Sequence, residues 1–103
     1  LESLVRYFAV PLAKRGITVN SISPGLTEDS IINALPPAAQ DMIREWCASG
    51  WSPMGRLGTT EDIGNAVAML CSPEAGWITG QAIAADGGAS LMNSDFPLAI
   101  QLG

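Results

Sequence analysis

The stretch KRGITVNSISPG, residues 14–25, decides the fold of this chain. Its two cations and Gly16 are residues that commonly end a helix, because cations stabilise the carbonyl end and glycine tolerates a left-handed conformation. The β-branched run Ile17–Ile22 predicts a strand, which Pro24 and Gly25 end. A helix, a tight glycine turn and a strand are the second half of a βαβ unit. The stretch therefore predicts an α/β protein with a parallel sheet.

Residues before this stretch predict an amphipathic helix. Pro11 lacks the amide that would donate to the carbonyl of Tyr7, so we expect a kink there. No capping side chain precedes the helical pattern, and we expect the helix to begin upstream of the first residue. Its apolar stripe follows helical spacing: Leu1, Leu4, Val5, Phe8 and Leu12.

Later segments predict two more helices and a second strand. The middle segment, Ile31 to Trp51, has a helical pattern that Pro36 and Pro37 can open. Thr59 with Asp62 resembles a capping box and predicts the start of a helix that ends at Ser72 and Pro73. The small residues Gln81–Ala85 predict a strand, and in the turn Asp86–Gly88 the aspartate is expected to accept backbone amides. The buried face of the second of these helices is predicted to be Ile63, Ala66, Val67 and Leu70.

Composition excludes several classes of function. A net charge of -5 with only five basic residues in 103 provides no cationic stripe for nucleic acid. No apolar run is long enough for a membrane span and no leader pattern is present, which predicts a soluble, cytoplasmic protein. Cys47 and Cys71, without any histidine, form neither a redox pair nor a zinc site, and both are expected to be reduced core thiols. Two strands with their helices cannot bury this much apolar surface alone, so more of the sheet is expected from elsewhere.

Two long blocks of this sequence resemble the C-terminal part of the short-chain dehydrogenase/reductase family, with 3-oxoacyl-acyl-carrier-protein reductase-like members in particular. They are LESLVRYFAVPLAKRGITVNSISPG and GRLGTTEDIGNAVAMLCSPEAGWITGQAIAADGG, and the similarity covers residues 1 to about 92. The resemblance implies a Rossmann-type doubly wound parallel sheet. Residues 1–103 would be the C-terminal part of a single dinucleotide-binding domain, with its last two strands and their helices, incomplete by themselves. Apolar residues alternate in the tail, residues 91–103, and for this reason we expect it to pack extended on a neighbour.

The resemblance places the family's catalytic residues upstream of this chain. Its Gly-rich phosphate loop, catalytic serine and Tyr-x-x-x-Lys motif would precede Leu1, so no residue here is expected to be catalytic and the chain alone is expected to be inactive. Tyr7 and Lys14 are seven apart instead of four. The turn Gly55–Gly58 has too few glycines for a dinucleotide fingerprint and follows no strand.

The implied activity is hydride transfer between a nicotinamide and a carbonyl or alcohol, on an acyl or other hydrophobic substrate. An enoyl reductase of the same family is the alternative, and a non-catalytic domain that binds a protein partner is the alternative of another class. The implied cofactor is NADP or NAD, with NADP slightly favoured. The implied partners are the upstream part of the same domain and further copies in a homodimer or homotetramer, contacted through the first helix and the last strand.

The loop after the first strand is the predicted cofactor site, because ligands of open α/β sheets bind beyond the carboxyl ends of the strands. The family pattern has a threonine five residues after the proline, where this chain has Asp29. The side-chain hydroxyl that contacts the nicotinamide is therefore expected from Thr27 or from Ser30, and the carboxylate of Asp29 is expected to turn away from the diphosphate. A plain turn with a helix cap is the structural alternative. The predicted cofactor-binding residues are Pro24, Gly25, Leu26, Thr27 and Ser30.

Residues 31–54 correspond to the family's variable substrate lid. Bulky apolar side chains suit a hydrophobic pocket, although they suit core packing equally well. The predicted lid residues are Met42, Trp46, Trp51 and Met54, of which the two tryptophans are the first choices for substrate contact. Arg56 is expected to pair with Glu61 or Asp62, with a phosphate contact as the alternative.

Overall fold

The computed structural model describes residues 1–28 and 30–92. Its helices are α1 (Glu2–Ala13), α2 (Ser30–Asn33), α3 (Pro37–Trp46) and α4 (Thr60–Leu70), and its strands are β1 (Ser21–Pro24) and β2 (Ala82–Ala85). A π-helical turn, Cys47–Trp51, extends α3, and short 3-10 turns cover Pro73–Ala75 and Ala89–Leu91. The strands pair in parallel, from Ser21 opposite Ala82 to Pro24 opposite Ala85. The predicted α/β class with a parallel sheet is confirmed.

β1 begins at Ser21 instead of Ile17, because the residues before it bond to a loop. The amide of Val19 donates to the hydroxyl of Thr79 at 3.0 Å, and the carbonyl of Val19 accepts from the amide of Gly80 at 2.7 Å. The side chain of Asn20 donates to the carbonyl of Ile78 at 3.0 Å. These bonds satisfy polar groups of Val19 and Asn20 outside the strand ladder. The pattern of β-branched residues in the sequence does not predict them.

The predicted glycine stop of α1 is confirmed. Gly16 has a positive φ of 73°, its amide donates to Ala13, and the amide of Ile17 donates to Leu12 at 3.1 Å. These two bonds form a Schellman motif. Helix α1 continues past Pro11 and ends at Ala13.

The apolar stripe predicted on α1 is only partly buried. Val5 and Ala9 are the buried positions of this helix. Leu1, Leu4 and Phe8 are 83%, 57% and 49% exposed. The same holds for α4, where no residue is fully buried, since two strands cover only part of each helix.

The middle segment is not one helix but three pieces. Pro37 begins α3 as predicted, and Gly50, within the π turn, has a non-helical φ of 112°. The pieces enclose the main apolar cluster, in which Ile32, Cys47 and Leu57 are buried. Leu35, Ile43 and Trp51 pack against it.

The predictions for the capping box, the two cysteines and the tail have different outcomes. Thr59 and Asp62 form both bonds of a capping box, as predicted. Cys47 is buried, and burial raises the pKa of its thiol. Cys71 is exposed at the end of α4, so its assignment to the core was wrong. Most of the predicted tail, residues 93–103, lies outside the described residues.

Candidate functional site

The loop after β1 touches the turn after β2 at the carboxyl end of the sheet. A Cβ atom placed on Gly25 would lie 2.7 Å from Cβ of Asp86 and 3.1 Å from its Cα. No real Cβ contact is that short, so the glycine is required by Asp86. Gly25 permits the close approach of the two loops, and its predicted contact with a cofactor stays a prediction.

The turn Asp86–Gly88 has the predicted hydrogen bonds. One carboxylate oxygen of Asp86 accepts from the amide of Gly88 at 3.0 Å, and the other accepts from the amide of Ser90 at 2.9 Å. Hydrogen bonds from Ser90 are the main cause that lowers the pKa of Asp86. The carboxylate therefore stays ionised and holds the turn in place.

A second turn holds the loop after β1 from the other side. The amide of Gly58 donates to the carbonyl of Leu26 at 3.0 Å, and the amide of Glu28 donates to the carbonyl of Gly58 at 2.8 Å. Thr27 lies between these bonds, paired with Gly58 in a parallel bridge, and is only 9% exposed. Pairing between residues this distant leaves no periodic signal, and the sequence did not predict it.

Arg56 pairs with Asp62, one of its two predicted partners. Its Nη1 atom donates to Oδ2 of Asp62 at 2.7 Å and to the carbonyl of Leu57 at 3.0 Å. The amide of Thr59 donates to the same Oδ2 at 2.8 Å. The hydrogen bond from Arg56, followed by those from Thr59, lowers the pKa of Asp62 to about 2. The charge of Arg56 is thus already matched by a neighbour.

An open cavity of about 450 Å³ lies beyond the end of β2. Its volume falls within the range of small-molecule pockets. Two predicted site residues, Leu26 and Met54, line it together. Its other walls include Arg56, Asp62, Ala85 and Leu91.

The remaining predicted lid residues lie apart from this cavity. Met42 and Trp46 are 65% and 51% exposed and line an open apolar groove on α3. Trp51 stacks on Trp46 with ring centroids 4.6 Å apart and also packs on the apolar cluster. The groove and the cavity are separate surfaces, so the four predicted lid residues do not converge on one pocket.

An ion pair missed by the sequence analysis joins α3 to the loop after β1. Nε of Arg44 donates to Oε1 of Glu28 at 2.8 Å. Asp29, the next residue, lies outside the described residues, so its predicted orientation is untested. Ser30 begins α2, and the role predicted for its hydroxyl also stays a prediction.

The described residues contain neither a group of metal-binding side chains nor a membrane-spanning helix. Within 1–28 and 30–92, no three histidine, cysteine, aspartate or glutamate side chains are grouped to hold a metal ion. No helix in these ranges has the length and apolar character needed to cross a membrane.

The sequence was compared with known proteins. Residues 1–90 match the family described as enoyl-(acyl carrier protein) reductase. Tetrahydroxynaphthalene reductase of Pyricularia oryzae is 33% identical over 88% of this chain and 35% of its own length. 3-Oxoacyl-(acyl-carrier-protein) reductase of Staphylococcus epidermidis is 41% identical over 82% of this chain and 33% of its own length. 7alpha-Hydroxysteroid dehydrogenase of Escherichia coli is 36% identical over 82% of this chain and 32% of its own length.

The chain spans about a third of the length of these relatives. Their names are all those of reductases or dehydrogenases, and the family match covers nearly the whole chain. This chain belongs to the short-chain dehydrogenase/reductase family of oxidoreductases.

Proposed function

We propose that this chain is the C-terminal part of an NAD(P)-dependent oxidoreductase, completed by an upstream portion of the same domain. The completed protein transfers a hydride between the nicotinamide and a carbonyl or alcohol of an acyl or other hydrophobic substrate. The observation that carries the proposal is the meeting of two loops at the carboxyl end of a parallel sheet, beside a cavity of about 450 Å³. Open α/β sheets bind their ligands at this place.

The residues present fit the nicotinamide end of such a cofactor. Leu26 is 37% exposed and forms an apolar wall of the cavity together with Met54. An apolar wall suits the face of a nicotinamide ring. When bound, the cofactor supplies or accepts the hydride. The residues of this chain orient the ring and exclude water from one of its faces.

Thr27 is the proposed hydroxyl contact, with Ser30 as its alternative. Thr27→Val replaces the hydroxyl by a methyl group of similar size, and Thr27→Ser retains the hydroxyl. In the full-length protein, we expect the valine variant to bind NADPH or NADH about fivefold more weakly, the effect of one hydrogen bond. Titration of cofactor fluorescence measures the affinity. Wild-type protein that binds neither cofactor would contradict the proposed function, and equal binding by both variants would move the contact to Ser30 or to the backbone.

The substrate is proposed to be apolar because α3 presents an exposed apolar groove. Met42, Ile43 and Trp46 line it. The family description names an enoyl reductase, whereas one relative is named a 3-oxoacyl reductase. Assays of the full-length protein with a 3-oxoacyl thioester and with a 2-enoyl thioester separate the two activities. We expect turnover of the 3-oxoacyl substrate, and exclusive turnover of the enoyl substrate would select the alternative.

The exposed apolar stripe of α1 supports further partners. Leu1, Leu4 and Phe8 are about half exposed or more. The upstream part of the domain and a second copy of the protein are proposed to cover them. We expect the full-length protein to be a homodimer or homotetramer by light scattering. A monomer without cofactor affinity would favour the non-catalytic, partner-binding alternative.

A further inference from the structure

The loop that carries the proposed cofactor contacts is held in place by a second loop. Leu26 and Glu28 each form one backbone hydrogen bond with Gly58, at 3.0 and 2.8 Å. These two bonds lie on either side of Thr27. The position of Gly58 therefore fixes the backbone of residues 26–28.

Gly58 is in turn fixed by a charged pair. Arg56 bonds the carbonyl of Leu57 at 3.0 Å and the carboxylate of Asp62 at 2.7 Å. Asp62 is anchored in the first turn of α4 by the amide of Thr59 at 2.8 Å. A continuous series of hydrogen bonds thus runs from the start of α4, through Arg56 and the turn Gly55–Gly58, to the loop after β1.

The ion pair of Arg56 and Asp62 is expected to contribute little to the stability of the whole protein. The side chains of Arg56 and Asp62 are 52% and 41% exposed, and exposed ion pairs contribute little to the free energy of unfolding. Their geometry instead fixes one turn, because a guanidinium can bond a carbonyl and a carboxylate at the same time. Arg56 and Asp62 also line the cavity beside the loop.

We propose that Arg56 and Asp62 are positioning residues, whose ion pair holds the turn Gly55–Gly58 and thereby holds Leu26–Glu28 in the conformation that binds the nicotinamide cofactor. The proposal rests on the proposed function. Arg56 and Asp62 each act through the backbone of Gly58.

The test uses the full-length protein and two measurements. The first is hydrogen exchange of the peptide that contains residues 26–28, in protein without cofactor. The second is the dissociation constant for NADPH and NADH. We expect Arg56→Met and Asp62→Asn to accelerate exchange of this peptide about fivefold, as local opening becomes easier. We expect both variants to bind cofactor more weakly by a similar factor, while the midpoint of thermal unfolding falls by no more than about a degree or two.

A double variant and a control make the test specific. Arg56→Met combined with Asp62→Asn should accelerate exchange no more than either change alone, because both remove the same pair. Thr59→Ala removes a helix cap but leaves Arg56 and Asp62 in contact. It should lower the midpoint of thermal unfolding and leave exchange at residues 26–28 and cofactor affinity unchanged.

The outcomes separate this proposal from the proposed function. Additive effects in the double variant, or an equal loss of affinity in Thr59→Ala, would overturn the positioning role. Wild-type protein that binds cofactor, with Arg56→Met binding as tightly, would overturn that role alone. Wild-type protein that binds neither cofactor would overturn the proposed function and the positioning role with it.

Discussion

The loop after β1 and helix α3 are neighbours, joined by the ion pair of Glu28 and Arg44, yet different interactions hold them. Backbone hydrogen bonds to Gly58 fix the loop on one side, and close contact of Gly25 with Asp86 fixes it on the other. No residue of α3 is fully buried. Its contacts with the rest of the described chain include those of Ile43 with the cluster around Leu57, of the Gln40 amide with the carbonyls of Asn33 and Leu35, and of Arg44 with Glu28.

This difference has a physical reason. Hydrogen bonds and a close glycine contact restrict the loop to a narrow range of backbone geometries, which suits the cofactor contact proposed for it. Helix α3 is held by the long side chains of Gln40 and Arg44 and by apolar contacts, which are not directional, so its position is less narrowly restricted than that of the loop. We infer that the loop is the constant part of the site and that α3 is the adaptable part.

Leu57 joins these two regions, and its truncation should have the largest effect. It is 5% exposed and lies in the apolar cluster with Ile32 and Cys47. Leu57→Ala should lower the free energy of unfolding by about 3 kcal/mol, through lost apolar contact and a cavity. Urea denaturation of the full-length protein measures this change. Leu91→Ala is the control, since Leu91 is 66% exposed; equal losses in the two variants would mean that the cluster is not the core of this region.

Gly25→Ala tests the fixed side of the comparison. The new Cβ would lie 2.7 Å from Cβ of Asp86, so one of the two loops must shift. We expect a loss of about 2 kcal/mol, typical of overpacking, together with weaker cofactor binding. Thermal unfolding and cofactor titration measure the two effects.

A second glycine supplies the matched control. Gly64 lies within α4, and a Cβ there would meet no atom within 4 Å. Gly64→Ala should therefore raise the free energy of unfolding by up to about 1 kcal/mol, because alanine is the better helix former. If Gly25→Ala and Gly64→Ala change the free energy of unfolding in the same direction, the contact with Asp86 does not determine the outcome at Gly25.

Local motifs were predicted well from the sequence. The glycine stop at Gly16, the capping box of Thr59 and Asp62, and the amide bonds of Asp86 each depend on residues within five positions of one another. A short stretch of sequence is therefore enough to predict each of these motifs. The parallel pairing of the strands also followed, because a helix and a tight turn before a strand permit few other connections.

Contacts between distant residues were not predicted. Gly58 beside Thr27 and Arg44 beside Glu28 depend on how the loops pack, and neither has a periodic signature. The bonds of Val19 and Asn20 to the loop before β2 shifted the start of β1 for the same reason. Exposure was misjudged at Cys71, because residue type indicates average burial and not the position of one helix end.

The pair of Arg56 and Asp62 predicts a dependence on pH. Its hydrogen bonds lower the pKa of Asp62 from 3.8 to about 2, so the ionised carboxylate favours the folded state. This contribution is complete above a pH of about 5, where the unfolded carboxyl is also almost fully ionised, and it is lost as the pH falls towards about 2.

The measurement compares wild type with Asp62→Asn in the full-length protein. The difference in the midpoint of thermal unfolding should be larger at pH 6 than at pH 3, by roughly a degree or two because the pair is exposed. Added salt should reduce it as well. A difference that is constant between these pH values would show that the asparagine acts only by weakening the helix cap.

The ion pair of Arg44 and Glu28 should have the smallest effect on stability and a selective effect on α3. Both side chains are about two-fifths exposed, so Arg44→Met should change the free energy of unfolding by less than about 0.5 kcal/mol. Because this pair ties the adaptable helix to the fixed loop, hydrogen exchange in residues 37–46 should accelerate while exchange in residues 26–28 stays unchanged. Arg6→Met, which removes the 3.8 Å pair with Glu2 on α1, should alter neither segment. Faster exchange in both segments of the Arg44 variant would mean that the loop depends on α3, and that the two regions move together.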